Sequence, residues 1–467
     1  MLGEKMLKRA IIKRVAACIS GKIEGLEKLI LFYQKHDFPP NAEMQNFIGN
    51  LSTSIKNGTN FAKIFLRLGN ETSESCREKL VNNLIFNQFI TGRAKRETFS
   101  KGEDRVPSFV VVSPTMRCNL NCSGCYSGLY AKGGEFSEQE LDDLFGEIRK
   151  MGVYFVVISG GEPFLLKDVL LRLFKKYNDM FFLTYTNGIL LDEKVVMQLG
   201  KLGNVAPAIS VEGWEKETAA RRGPNTWDKI LNAMSNLRKN GVLFGMSVTV
   251  TKHNMETVTD EKFAEFFMAK GVLFGWYFMF MPVGKDPMLE LMMTPQQRVL
   301  CGQRVRALRD KYPLFLADFW NDGDIAGGCL AAGRLYVHIL SNGNVEPCVF
   351  AHFGVDNVRE KSLLEIVNSP FFKAIRKQFP YNEKGNLKRP CMIIDNPQVL
   401  RDSVHRCGAV SSHARAEVIV SDPVVVKWVD EYAKEFAALT DPKWEKMIND
   451  PNNRWYREGQ EYKNLFR

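Results

Sequence analysis

The chain of 467 residues is 45% hydrophobic and 25% charged, a composition that fits two or three globular domains with cores of their own and excludes a disordered or fibrous protein. No apolar run approaches the roughly 20 residues that a bilayer span needs, and the N-terminus shows no secretory signal, so a cytoplasmic location is expected. The net charge of +10, from 63 Lys and Arg against 53 Asp and Glu, is spread over the length; without zinc-finger spacing or an RNA-binding signature, nucleic acid is not expected as a partner.

Over residues 1–34 the apolar positions Leu7, Ile11, Val15, Ile19, Leu26 and Ile30 recur at helical spacing, with Lys8, Arg9, Lys13, Arg14 and Lys22 between them. The pattern predicts a basic amphipathic helix, bent at Gly21 and Gly25. Such a helix either packs on a neighbouring domain, the commoner outcome, or lies on an anionic membrane surface. Pro39 and Pro40 end it. Further helical segments follow near residues 41–68 and 73–91, and Cys76 in the second reads as a small buried residue. Residues 93–105 are charged and poor in apolar side chains, which predicts a linker.

Residues 117–128 read RCNLNCSGCYSG and set Cys118, Cys122 and Cys125 in a Cys-x3-Cys-x2-Cys run after an apolar segment. Three soft ligands on one short loop suit an iron–sulfur cluster better than a closed zinc site, because the fourth position stays open. A zinc loop or unconnected core cysteines are the alternatives that spacing alone leaves. Ten cysteines, clustered in a chain of this size, point to metal ligation rather than disulfides.

From residue 108 onward short apolar runs alternate with helical segments, which predicts parallel strands near 108–116, 153–159, 180–186, 205–211, 243–250 and 273–281. Helices are expected between them, for example at 138–151 and 227–239. The second run ends in SGGEP, with Gly160, Gly161 and Glu162; here glycines admit a close backbone approach and the carboxylate accepts from an ammonium group. The third ends at Asn187 and the fourth at Ser210 and Glu212, followed by Arg222 in RRGPNTW. The sixth alternates Trp276, Phe278 and Phe280 with Tyr277, Met279 and Met281, and whichever set points inward lines an apolar cavity.

The cysteine loop followed by Gly160-Gly161-Glu162-Pro163 resembles the radical S-adenosylmethionine (SAM) superfamily. The resemblance implies an α/β fold, a partial (β/α)6 barrel, with Cys118, Cys122 and Cys125 holding a SAM-binding 4Fe–4S cluster. It implies that the segment at Glu162 grips the SAM amino group, that Asn187, Ser210 and Glu212 contact its ribose and carboxylate, and that Arg222 pairs with the carboxylate. Many relatives carry an aromatic before the third cysteine; this chain has Gly124 there, which passes the adenine contact to Tyr126.

Beyond the barrel, Cys329 and Cys348 flank an alternating segment with Asn342-Gly343 at its turn, the signature of a hairpin. The spacing resembles the start of a SPASM or twitch extension, which holds auxiliary iron–sulfur clusters. The seven-cysteine SPASM core is absent; with Cys391 and Cys407 the set completes one four-thiolate site, an auxiliary 4Fe–4S cluster, for which zinc is the alternative. His405 is the alternative to Cys407 as a ligand, although a lone histidine near a cysteine is more often a neighbour than a ligand. Cys18, Cys76 and Cys301 are unassigned. Helices near 423–438 and 443–449 form a polar tail with Trp428, Trp444 and Trp455.

The expected division is a helical extension at 1–105, a barrel at 106–312, an auxiliary cluster domain at 313–410 and a helical tail at 411–467. The resemblance implies an enzyme that cleaves SAM reductively and takes hydrogen from an unactivated carbon, with a flavodoxin, ferredoxin or reductase as electron donor. Peptide or protein maturation is one reading of the substrate. Modification of lipid acyl chains through a peripheral membrane contact is the other, and an iron–sulfur or zinc scaffold is the non-enzyme alternative.

Overall fold

The computed structural model describes residues 2–36, 42–285 and 288–453. Pro39, Pro40 and Trp455 lie outside the described residues, as do the side chains of Leu7, Lys8 and Arg9.

Strands covered on both faces need apolar residues at successive positions, and the six expected runs form strands for that reason. They are β1 (Phe109–Val112), β2 (Phe155–Ile158), β3 (Phe181–Thr186), β4 (Val205–Val211), β5 (Gly245–Val250) and β6 (Phe274–Met279). Helices between them bury one stripe against the sheet. The helix Glu138–Lys150 starts in a Ser137–Glu140 capping box and buries Leu141, Leu144, Phe145 and Ile148.

Two strands outside the expected six extend the sheet. β7 (Phe315–Asp318) pairs with β6, and β8 (Tyr336–Ile339) pairs in parallel with β1, Phe109 facing Tyr336. β8 turns back at Asn342-Gly343 into β9 (Val345–Glu346), the expected hairpin. Among the described residues the result is one nine-stranded sheet, order β7-β6-β5-β4-β3-β2-β1-β8-β9, parallel except for the β8–β9 pair. The sheet runs across the boundary at residue 312. A small second sheet joins β10 (Phe353–Gly354) to β11 (Val410–Ser411).

The N-terminal segment does not form one bent helix. It splits into the helices Leu2–Cys18 and Ile23–His36, and residues 41–68 likewise divide at Gly58, whose φ is +63°. Ile12, Ala16 and Ile19 are buried in the main core. A π-helix, Leu80–Thr91, follows and runs into the helix Gly92–Phe99.

That last helix corrects the expected linker. Arg96 is buried and donates to the Gly152 carbonyl at 2.6 Å and to the Gln88 carbonyl; burial depresses its pKa to about 10. Gln88 in turn accepts from the amides of Tyr154 (2.7 Å) and Phe155 (3.0 Å), where β2 begins. Asn83 donates to the Met180 carbonyl at 2.7 Å, at the start of β3. Polar side chains of the extension thus cap the amino ends of the strands and satisfy backbone groups that burial would otherwise leave unpaired.

The tail also departs from expectation: one helix, Pro423–Asn449, runs through Pro442. It lies along the helix Pro295–Lys311, and the Arg298 guanidinium sits 3.7 Å from the Phe436 ring centroid. No helix among the described residues is long and apolar enough to cross a membrane.

Candidate active site

The cysteine loop leaves β1 and is held on three sides by main-chain bonds. Ser159, Gly161 and Glu162 donate to the carbonyls of Val112 (2.9 Å), Thr115 (2.9 Å) and Arg117 (2.8 Å), so the Gly-Gly-Glu-Pro turn lies along the approach to Cys118. A Cβ at Gly160 or Gly161 would collide with the carbonyls of Thr115 and Arg117, which is why this turn needs glycines. Ser123 donates to the Arg221 carbonyl (3.1 Å), and Lys285, after β6, donates to the Cys125 carbonyl (3.1 Å).

Cys118, Cys122 and Cys125 line a cavity of about 330 Å³ at the carboxyl ends of the strands. Burial raises the Cys118 thiol to about 11, and charge on Cys122 and Cys125 adds to the shift. Burial also raises Cys122, while the guanidinium groups of Arg222 and Arg221 pull it down. Ligation must therefore displace thiol protons, as metal binding by cysteine generally does. Among the described residues no three such side chains already converge as a closed ligand set.

The remaining expected residues gather on the same cavity, with Tyr126, Gly160, Gly161, Glu162, Asn187, Ser210 and Arg222 all in its wall. Glu162 is fully buried and accepts from Phe164 N (3.0 Å), Thr186 Oγ1 (2.8 Å) and Asn187 N (2.8 Å), bracing β2 against β3. Burial is the main influence on its carboxyl and raises it. The Asn187 amide donates to Asn119 Oδ1 at 2.7 Å, inside the cysteine loop. Tyr126 shares a 2.9 Å hydrogen bond with Ser159, and burial pushes its phenol up.

Glu212 stands behind the wall and ties down both arginines of the RRGPNTW segment. Its Oε1 accepts from Arg221 Nη1 (2.7 Å) and Arg222 Nε (2.8 Å), while its buried Oε2 has no partner. Arg221 also donates to Thr249 Oγ1 at 3.0 Å. Sequence reasoning singled out Arg222 and missed Arg221, although the two are adjacent in the same motif.

β6 settles which aromatic set faces in. Trp276, Phe278 and Phe280 line the cavity, joined by Met279 and Met281 at the strand's end, whereas the Tyr277 hydroxyl donates to the Val258 carbonyl at 2.8 Å. The indole N–H of Trp276 is buried without a partner. Gly124 has φ +59°, and a Cβ there would lie 2.5 Å from the Phe280 ring. Phe280 thus fills the space beside Gly124, just before the third cysteine.

At the other end of the sheet, Cys329, Cys348 and Cys391 share one buried environment. Burial raises each thiol, Cys348 to about 12, and charge on Cys329 acts on both others. Tyr336 donates to Cys348 Sγ at 3.1 Å. Cys407 is the half-buried last residue of the helix Pro397–Cys407, and His405 lies in that same turn. The two regions are linked by Tyr130, which donates to Glu346 of β9 at 2.6 Å, and by His338, which bridges Glu346 (2.7 Å) and Ser113 (2.7 Å).

These residues fit an iron–sulfur cluster with a bound nucleotide. Three thiols line an open cavity, Arg221 and Arg222 flank them, and the indole N–H of Trp276 in its wall lacks a partner.

Residues 112–267 match the model of the radical SAM superfamily, and residues 329–392 match SPASM, an iron–sulfur cluster-binding domain. The AdoMet-dependent heme synthase of Methanosarcina barkeri is 24% identical over 350 residues, 68% of this chain and 96% of the relative. The mycofactocin maturase MftC of Mycobacterium tuberculosis is 28% identical over 298 residues, 60% of this chain and 75% of that one. Among solved structures, Streptococcus suis SuiB bound to its precursor peptide SuiA superposes with a TM-score of 0.53 at 17% identity, covering 71% of this chain and 79% of SuiB, a likeness of fold. The two family matches fall where the fold places the cysteine loop and the second thiol group, and the chain is a radical SAM enzyme with a SPASM domain, whose cofactors are a 4Fe–4S cluster, SAM and an auxiliary iron–sulfur cluster.

Proposed function

We propose that this enzyme matures a peptide or protein by removing hydrogen from an unactivated carbon, with its 4Fe–4S cluster on Cys118, Cys122 and Cys125. The single observation that carries the reading is the cavity, whose rim is the cysteine loop and whose inner wall is aromatic. When bound, the cluster and SAM supply a one-electron reductive cleavage that yields an oxidant strong enough for inert C–H bonds.

The chain's own residues hold, orient and shield. Arg221 and Arg222 share one carboxylate, so the pair keeps a net positive charge for the SAM carboxylate. Glu162, immobilised by three protein donors, faces the ammonium end. Asn187 and Ser210 offer polar groups to the ribose, and Tyr126 offers its ring to the base. Trp276 and Phe278 exclude water from the reacting carbon. Cys329, Cys348 and Cys391, with Cys407 as fourth thiol, hold the auxiliary cluster. The division into 1–105, 106–312, 313–410 and 411–467 describes how these tasks are distributed, and a flavodoxin- or ferredoxin-type protein supplies electrons.

Relatives named as maturases, and a fold neighbour bound to a precursor peptide, support a peptide substrate. Other relatives are heme synthases, but a macrocycle with several carboxylates calls for several cations. This cavity is lined by Lys132 and by two arginines already on Glu212. The lipid reading loses its motive, because the apolar face of the first helix is buried at Ile12 and Ala16.

The test is anaerobic reconstitution followed by dithionite and SAM. Production of 5'-deoxyadenosine, abolished in Cys122→Ala, is expected. Added precursor peptides from the same source should stimulate it and change in mass. Stimulation by a porphyrin and by no peptide would overturn the substrate assignment.

A further inference from the structure

Tyr336 occupies an unusual place between the two cysteine groups. It is the first residue of β8, buried to 2% exposure, and its ring is part of the wall of the SAM-side cavity. The ring stacks on Phe109 of β1, with centroids 5.2 Å apart and planes 11° from parallel, which fixes its orientation. Its hydroxyl points away from the cavity and donates to Cys348 Sγ at 3.1 Å.

The main chain of the same residue holds the other shoulder of the hairpin. Tyr336 N donates to the Leu330 carbonyl (3.0 Å), and Gly333 N donates back to the Tyr336 carbonyl (3.0 Å), so the turn that follows Cys329 is tied to it. Ala332 N reaches the Pro347 carbonyl at 2.8 Å, next to Cys348. One residue therefore touches the cavity with its ring, Cys348 with its hydroxyl, and the Cys329 turn with its backbone.

We propose that Tyr336 is a positioning residue for the auxiliary cluster, whose hydroxyl holds the Cys348 sulfur by a hydrogen bond and thereby raises the cluster's reduction potential. This rests on the reading that Cys329, Cys348 and Cys391 ligate that cluster. A phenol is protonated at neutral pH and is a donor. Donors to ligand sulfur are among the protein's means of setting cluster potentials, because they stabilise the more negative reduced state. The sheet supplies the reason for the placement: β8 lies beside β1 in register, so the strand that carries the tuning group also walls the cavity.

The test is a potentiometric titration, followed by electron spin resonance, of the full chain reconstituted anaerobically. In Tyr336→Phe the iron content and the midpoint of the SAM-binding cluster should stay as in the parent, while the auxiliary midpoint moves to more negative potential. Replacing Tyr336 by 3-fluorotyrosine, a more acidic donor of nearly the same shape, should move it the other way. This arm decides the matter if the phenylalanine variant loads iron poorly. Unchanged auxiliary midpoints in both would overturn the proposal. Cys348→Ala separates the two levels of the argument: loss of the auxiliary signal is expected, and a signal that persists there and in Cys329→Ala would overturn the ligand assignment itself.

Discussion

Gly124 shows how one missing side chain shapes the cysteine loop. Its φ of +59° lies in the left-handed region, and the Phe280 ring stands where a Cβ would go. Gly124→Ala meets both penalties, roughly 1–2 kcal/mol for the backbone and about 1–3 kcal/mol for overpacking. A lower urea midpoint and reduced iron at the first cluster are expected, read by denaturant titration and iron analysis. His352 offers a pH signature. It is 1% exposed, donates through Nε2–H to the Val349 carbonyl (3.0 Å), and packs against the rings of Tyr130 and His413. Burial first, and then charge on His413, hold it well below 6.5. The unfolded chain takes up a proton below about 6.5 that the native state refuses, so stability is present above that pH and is lost as pH falls. The slope from this group rises towards about 1.4 kcal/mol per pH unit as pH falls below 6.5. His352→Phe should flatten it in urea titrations at several pH values.

At the scale of elements, the fully buried pair Arg298–Asp395 ties the helix Pro295–Lys311 to the turn after Cys391, while Phe436 of the helix Pro423–Asn449 covers the Arg298 guanidinium. Arg298 Nη2 donates to Asp395 Oδ2 at 3.0 Å, and the same oxygen accepts from Cys391 N at 2.9 Å. Removing one partner of a buried pair leaves an uncompensated charge, at a cost of about 3–5 kcal/mol. Asp395→Ala should lower the thermal midpoint and release iron from the auxiliary site while the SAM-binding cluster stays loaded, a contrast that metal analysis with spin resonance can read. Elements of this kind also mark what the sequence makes legible. β1 to β6 are readable because FVVV or FVVI can be satisfied at both faces only inside a sheet. β7, with FLAD, is short and ends in a carboxylate, and β8 looks like half of an isolated hairpin until its partner β1 is known. Asn83, Gln88 and Arg96 carry no mark of their roles in the local pattern, which does not show that strand ends await them. In the site, the thiol spacing and the glycine turn carry their own geometry, while Arg221, Phe280 and Tyr336 acquire roles only through contacts distant in the chain.

Across the whole molecule, the radical SAM match ends at residue 267, yet the sheet does not. A chain cut after residue 312 keeps all of the matched region but loses β7 from one side and β8 from the other, baring the backbone of β1 and β6. Such a fragment is expected to aggregate or to lack a cooperative thermal transition, whereas the full chain shows one; light scattering and calorimetry distinguish the outcomes. The extension at the amino ends of the strands acts in the same sense, closing the face opposite the cavity with side chains that pair with strand backbones.

Strand order also dictates a timetable. During synthesis β1 can join β2 promptly, but its other flank waits until Tyr336 leaves the ribosome, on the order of ten seconds or more at ordinary elongation rates. Throughout that interval the strand that carries the first three thiols is paired on one flank only. Once the hairpin docks, Tyr130 can donate to Glu346 and tie the segment after the cysteine loop to β9.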